Sequence, residues 1–451
     1  MTTLAPQFAS DSAGAAASEV ARFAGRARAA SRLLAKLPDE LRNDVLAAAA
    51  QAIENGSAKV LAANELDCLA AEPVVAGGKM SPAMFARLRV NERGIAQMAT
   101  YVRDVARLPD PLGRRLAATE LDDGLVLYKE SCPLGVIGII FESRPEVVPQ
   151  VAALALKSGN AVILKGGSEA GRTNEALVSL WQDCLGRFSG VPRDAVTLLH
   201  SRADVLELLA LNRDVDLVIP RGSRELVEYV MEHSRIPVLG HGEGICHVYV
   251  DRAADIGKAL AVTLDSKVQY PAVCNAAETL LVHQGIAAQF LPQVFAKLRQ
   301  AGVEVRGCSR TVALLADPAV VPATEKDWAT EYSDLILSVK IVADAEEAIA
   351  HIERYGSRHT DAIVTEDREA AKKFMDEVDS AGVFHNASTR FSDGFRYGFG
   401  AEVGISTSKL HARGPVGLEG LTTYKYKLVG DGHTVAEYAK GLRRFKHRPL
   451  S

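Results

Sequence analysis

The chain has 451 residues, 48% hydrophobic and 24% charged, with a formal net charge of −4. That length exceeds what one hydrophobic core organises, so two or more domains are expected. The charge gives no footprint for nucleic acid, no apolar run reaches the length of a membrane span, and six scattered cysteines suggest neither a disulfide scaffold nor a zinc or other metal site.

The first residues, M-T-T-L-A-P-Q-F-A-S, lack a basic region followed by an apolar one, so no secretory signal is expected. The alanine-rich segment from Ala15 to Ala52 interleaves acids (Glu19, Asp39, Glu40, Asp44) with leucines at helical spacing and reads as two amphipathic helices. Residues 118–134 then alternate apolar and polar side chains on both sides of Asp123-Gly124, a strong hairpin signal. A lone two-stranded hairpin is marginal in water, so it is expected to extend another sheet, in a partner subunit or with the isolated strand Y-K-Y-K-L-V at 424–429.

From Gly135 a regular alternation begins. G-V-I-G-I-I-F (135–141), A-V-I-L-K-G (161–166), A-V-T-L-L-H (195–200), V-D-L-V-I-P (215–220) and I-P-V-L-G (236–240) read as strands with helices between them. Such short apolar strands imply a parallel sheet covered on both faces. A second α/β series runs from Cys246 to Ser388, with strands at H-V-Y-V, T-L-L-V, V-E-V-R, L-I-L-S-V-K-I-V, A-I-V-T and V-F-H-N. The fold class is therefore α/β, with two Rossmann-like parallel-sheet domains and a small β arm. The basic tail, with Lys440, Arg443, Arg444, Lys446 and Arg448, reads as a solvated end.

Ligands of open parallel sheets bind outside the carboxyl ends of the strands. Lys165-Gly166-Gly167-Ser168 ends one strand with a cation, two glycines and a hydroxyl. Arg221-Gly222-Ser223 ends another and opens a helix, whose free N–H groups suit a phosphate. Gly222 and Ser223 are equally what a tight turn and an N-cap require. Neither a Walker A sequence nor G-x-G-x-x-G follows any strand.

Cys274, in Y-P-A-V-C-N-A-A-E-T, has surroundings that suit a nucleophile: Pro271 ends any regular element upstream, and small neighbours leave a carbonyl room to approach. The other five cysteines, Cys68, Cys132, Cys184, Cys246 and Cys308, lie in apolar helix or strand patterns and read as structural.

The segments G-V-I-G-I-I-F-E-S-R-P-E, V-I-L-K-G-G-S, P-R-G-S, Y-P-A-V-C-N-A-A-E-T-L-L-V and R-H-T-D-A-I-V-T together resemble the aldehyde dehydrogenase superfamily, and within it the glutamate-5-semialdehyde dehydrogenase family, over nearly the whole chain. The resemblance implies a dinucleotide-binding domain (1–117 and 135–245), a catalytic domain (246–411), an oligomerisation arm (118–134 and 412–430) and the tail (431–451). It makes Cys274 the nucleophile, gives Lys165 to the adenosine ribose and Gly222 and Ser223 to the pyrophosphate, and gives Glu331 to the nicotinamide ribose.

Three departures from the superfamily pattern matter. Gly240 falls where hydrolytic members carry the glutamate that activates water, which makes phosphate the plausible acyl acceptor. Glu142, Ser143, Arg144 and Pro145 replace the segment that holds the oxyanion asparagine, leaving Ser143 and Arg144 as candidate catalytic donors beside the Cys274 N–H. Ser168 stands where an acid often meets the ribose 2′-hydroxyl; beside Lys165 it leaves room and charge for a 2′-phosphate and favours NADP, with Glu169 next door acting against it.

The implied activity is NADPH-dependent reduction of L-glutamyl 5-phosphate in proline biosynthesis, by a cytoplasmic homo-oligomer (dimer or tetramer) that a glutamate 5-kinase would supply. Arg221 and Lys267, by sequence position, and Glu402 and Arg413, by resemblance, are candidates for holding the substrate. The rivals are a hydrolytic NAD-dependent semialdehyde dehydrogenase and a non-catalytic scaffold.

Overall fold

The computed structural model describes residues 18–201, 203–240 and 242–450. The first seventeen residues, read above for a targeting signal, fall outside these, as does His241 of the G-H-G-E-G loop. Five helices open the chain: α1 (Glu19–Leu34), α2 (Asp39–Asn55), α3 (Ser57–Ala76), α4 (Pro82–Leu88) and α5 (Glu92–Arg107). The expected amphipathic pair is α1 and α2. Ser18 caps α1 by accepting the Ala21 N–H, and α1 buries a stripe of Ala24, Ala27, Ala30 and Leu34.

The hairpin β1 (Arg115–Asp122) and β2 (Leu125–Pro133) turns at Asp123-Gly124, where φ of +70° suits glycine. The first parallel sheet follows: β3 (Val136–Phe141), β4 (Ala161–Lys165), β5 (Val196–Leu198) and β6 (Leu217–Arg221), in the order β5-β4-β3-β6. Every residue of β3 and β4 is buried, as a sheet covered on both faces requires. Its connections carry α6 (Val147–Lys157), α7 (Gly171–Leu185), α8 (Ala203–Ala210) and α9 (Arg224–His233). The strand expected at 236–240 makes a single parallel bridge, Val238 to Val218; Pro237 has no N–H with which to continue a ladder.

The second sheet comprises β7 (Cys246–Val250), β8 (Ala277–His283), β9 (Glu304–Gly307), β10 (Val320–Pro322), β11 (Ile336–Val342), β12 (Thr360–Val364) and β13 (Gly382–His385). It is parallel throughout, in the order β10-β9-β11-β8-β7-β12-β13. Helix α10 (Ile256–Val268) leads from β7 towards the cysteine turn. Strand β10 has no counterpart in the sequence reading; it is short and ends at a proline.

Beyond β13 the chain forms the small pair β14 (Ile405–Ser406) and β15 (Gly414–Pro415). Ala401, Val403, Ala412, Val416, Leu418 and Leu421 pack into the core of the first domain. The end of the span assigned to the catalytic domain and the start of that assigned to the arm are therefore buried with the first sheet. Strand β16 (Thr422–Val429) then pairs with β2, Lys425 opposite Glu130, and β17 (Arg448–Leu450) pairs with β1. The basic tail is thus not a free solvated end. The acids of the hairpin draw it back, Lys446 meeting Asp123 and Arg448 meeting Glu120 at 2.6 Å.

Candidate active site

Cys274 lies half-buried in the turn between α10 and β8. The fold braces its backbone on two sides. Gly244 packs against it so closely that a Cβ there would stand 2.1 Å from the Cys274 carbonyl oxygen. The same oxygen accepts the Cys246 thiol at 3.2 Å. Burial, reinforced by Asp361 and Cys274, pushes the Cys246 thiol well above its ordinary range, so it serves as a neutral donor. Gly244 in turn donates its N–H to Glu331 Oε2 at 2.9 Å, linking the nucleophile to the residue expected at the nicotinamide ribose.

The two sheets deliver these groups from opposite ends. Gly244, Cys274 and Glu331 precede β7, β8 and β11, so the second sheet presents its amino ends. The first sheet presents carboxyl ends, as expected: Glu142 to Arg144 follow β3, while Lys165 and Arg221 close β4 and β6.

The two glycine turns allow close approach to their backbone. Ser223 caps α9, and its own N–H donates to Glu142 Oε2 at 2.7 Å. A Cβ on Gly222 would meet that oxygen at 2.2 Å, and one on Gly167 would meet Glu169 Oε1 at 2.1 Å. A carboxylate of the chain thus stands against each glycine where a cofactor phosphate or ribose is expected. Gly166, Gly167 and Ser168 line a small cavity with Asn174, Leu198 and His200, and Asn174 Oδ1 is buried without a hydrogen-bond partner. Lys165 is buried beside it, Nζ donating to the Gly166 carbonyl at 2.5 Å. Close backbone approach and an orphaned buried acceptor fit a dinucleotide.

Ser143 departs from expectation. Its N–H and its hydroxyl both donate to Glu169 Oε1, at 2.7 and 2.8 Å. A proton already given to a carboxylate is not available to an oxyanion, so the expected catalytic role does not fall to Ser143. The same contacts hold the Glu169 carboxylate between Ser143 and Gly167, so its charge still stands beside Ser168.

Arg144 and Arg221 are brought together, and α4 adds Arg87, which sequence reasoning missed. None of the three has an ion-pair partner among the described residues. Burial, then the charges of Arg221 and Arg87, push the Arg144 pKa down, with the Tyr270 phenol also within electrostatic reach. Burial pushes the nearby Glu146 carboxyl up, against the pull of Arg144, Arg221 and Arg87. Glu402 closes this side: its carbonyl accepts the Tyr101 hydroxyl at 3.2 Å, and its Oε2 accepts the Gly394 N–H at 2.9 Å.

Two other substrate candidates are committed elsewhere. Lys267 is fully buried and ion-paired with Glu278 at 2.6 Å, because it falls on the buried stripe of α10 with Val262, Thr263 and Ser266. Burial pushes the Glu278 carboxyl up to about 7 despite Lys267. Arg413 is held by Asp379, whose carbonyl and Oδ1 accept its Nη2 at 2.9 and 3.1 Å. A different arginine lies near the cysteine turn. Arg390, 7% exposed, donates Nε to Gln269 Oε1 at 2.9 Å and feels the charge of Cys274. Its sequence context, S-T-R-F just after a strand, is the only local signal that could have found it.

The chain matches the aldehyde dehydrogenase family over residues 7–310. It is 56% identical over 423 residues to the gamma-glutamyl phosphate reductase of Synechococcus sp. (strain JA-3-3Ab), covering 94% of this chain and 92% of that one. It is 53% identical to the enzyme of the same name from Pelotomaculum thermopropionicum, covering 95% and 97%. The crystal structure of gamma-glutamyl phosphate reductase from Thermotoga maritima superposes with a TM-score of 0.89 at 42% identity, covering 92% of this chain and 100% of that one.

Proposed function

The chain belongs to the aldehyde dehydrogenase family, and from that premise we propose that it reduces L-glutamyl 5-phosphate to L-glutamate 5-semialdehyde and phosphate, with NADPH, through a thioester on Cys274. The step belongs to proline biosynthesis, as the name of the similar reductases implies. The observation that carries this reading is the loop beneath the nucleophile. Its only acid among the described residues, Glu243, is ion-paired with Arg224 at 2.6 Å, and Gly240 has no side chain to act as a base. Among the described residues of that loop no group is free to activate water, which supports phosphate as the partner with which the acyl group is exchanged.

In the forward direction the Cys274 thiolate attacks the acyl carbon, the sulfur–carbon bond forms, and phosphate leaves with the electron pair of its carbon–oxygen bond. NADPH, when bound, supplies a hydride to the thioester carbonyl carbon. The tetrahedral species then collapses to the aldehyde and returns the thiolate. Developing oxyanions call for preorganised donors, and we assign the Cys274 N–H with Arg144 to that role. Lys165, Gly166, Gly167, Ser168, Gly222, Ser223 and Glu331 would hold the cofactor, and Lys165 with Ser168 supports a 2′-phosphate, hence NADP. Arg221 and Arg87 would take the substrate's carboxylate, and Glu146 and Glu402 its ammonium.

No helix among the described residues is long and apolar enough to cross a membrane, which is consistent with a cytoplasmic enzyme. The exposed outer edge of β16, bearing Tyr424, Tyr426 and Leu428, supports assembly of the arm into a dimer or tetramer. Acyl phosphates hydrolyse readily, so a glutamate 5-kinase is the partner that the chemistry calls for. The test is NADP reduction by glutamate semialdehyde with and without phosphate, on the wild type and Cys274→Ala. Turnover that needs phosphate and Cys274 is expected; undiminished turnover without phosphate would point to a hydrolytic dehydrogenase, and activity in Cys274→Ala would end the covalent mechanism.

A further inference from the structure

We infer that Arg390 is the residue that holds the phosphate group as it leaves the acyl carbon, and as it attacks the thioester in the reverse direction. The inference rests on the thioester reading above and names a residue for which that reading has no role.

The turn that carries Arg390 is fastened to the neighbour of the nucleophile from both sides. Thr389 Oγ1 donates to the Asn275 carbonyl at 2.6 Å, and Asn275 Nδ2 donates to the Ser392 carbonyl at 2.8 Å. The Thr389 N–H also reaches Ser266 Oγ on α10 at 3.2 Å. The guanidinium is oriented by its Nε bond to Gln269, in the stretch that runs from α10 to Cys274. Backbone on one side and side chain on the other therefore fix Arg390 relative to the sulfur.

What the described residues do not provide is a direct ion-pair partner. No carboxylate among them comes within 4.0 Å of Arg390, which is only 7% exposed; Asp393 and Asp265 act on it from farther away. Arg396, donating Nη1 to the Arg390 carbonyl, places a second cation nearby. A buried guanidinium is stable only when something supplies negative charge. The one dianion that must come to Cys274 in this reaction is the phosphate of the substrate, and the planar fork of arginine matches it with two parallel hydrogen bonds. As the carbon–oxygen bond breaks, charge collects on the bridging oxygen, and Arg390 is placed to take it up. Arg221, Arg87 and Glu146 are then left for the amino-acid end of the substrate.

The experiment uses the full-length enzyme in the oxidative direction, with glutamate semialdehyde, NADP and inorganic phosphate, comparing wild type with Arg390→Gln and Arg390→Lys. Without phosphate the wild type should release a burst of about one NADPH per site as the thioester forms. Arg390→Gln is expected to keep that burst while its KM for phosphate rises roughly tenfold or more, with a smaller rise for Arg390→Lys. An unchanged phosphate KM in Arg390→Gln overturns the inference. So does loss of the burst in that variant alone, which would place Arg390 in thioester formation instead. A wild type without any burst sinks the thioester reading itself, a failure visible before any variant is made. If circular dichroism shows Arg390→Gln unfolded, Arg390→Lys decides: a wild-type phosphate KM there overturns the assignment.

Discussion

Gly244 and Cys274 are in backbone contact: a Cβ on residue 244 would lie 2.1 Å from the Cys274 carbonyl oxygen and 2.5 Å from its Cα. The atoms in the way are main chain, not the tip of a flexible side chain, so they yield only if the nucleophile's turn moves. The glycine-rich loop is thus the floor on which the sulfur is set.

Gly244→Ala should therefore displace Cys274 by a sizeable fraction of an ångström and lower kcat by about 100-fold, the usual cost of misplacing a reacting group. Steady-state kinetics and the rate of Cys274 alkylation by iodoacetamide check this. A variant with wild-type kcat would show that the turn absorbs the methyl without consequence.

Lys267→Met leaves Glu278 in the interior without its partner. Breaking a buried pair from one side costs about 3–5 kcal/mol, whereas replacing both members with apolar groups of similar size is often neutral. The double variant Lys267→Met/Glu278→Leu should therefore recover most of the loss. Urea titrations of the two variants measure it; equal destabilisation by both would contradict the pairing argument.

Asp327 secures the segment that leads to Glu331. It accepts hydrogen bonds from Arg306, Thr324 and Tyr332 at 2.7, 2.7 and 2.9 Å. Burial alone would raise its carboxyl, but these partners outweigh burial and hold it well below the usual carboxylate range. With the folded value depressed, its stabilisation is complete above the unfolded pKa of about 3.9 and drains away as pH falls toward the folded one. Asp327→Asn should lower stability by about 1–3 kcal/mol at neutral pH. The gap from wild type should narrow below about pH 4. Thermal melts across that range test the sign; a gap that widens in acid would refute it.

Glu142 holds the N–H of Ser223, where a cofactor phosphate is proposed to sit. Two anions cannot share one helix terminus, so binding must displace the carboxylate. Glu142→Gln should tighten NADPH by a few-fold, about 0.5–1 kcal/mol, the scale of one charge at a helix end. A fluorescence titration of the nucleotide reads this out, and weaker binding would mean that Glu142 supports the cofactor rather than competing with it.

Most of the fold was legible because its signals are local. Asp123-Gly124 marks its hairpin through turn chemistry, and the unbroken apolar runs of β3 and β4 mark a doubly covered sheet. Cys274 stood out as a candidate from its small neighbours and its proline. The places of Arg390 and Arg87 were not legible, because they are set by what converges on them from distant parts of the chain. Glu142 at Ser223 spans 81 positions, and no local pattern encodes such a contact. Lys267 shows the opposite failure: nearness in sequence suggested the site, while its place on the inward stripe of α10 was the better guide.

The short strand Arg448–Leu450 covers β1 over Ala118, Thr119 and Glu120. A protein engineer who shortens the chain before Arg448 would uncover a row of unpaired backbone donors and acceptors on β1. Exposed sheet edges of that kind recruit other chains, so such a truncation trades a tidy arm for a sticky one, and an affinity tag belongs elsewhere.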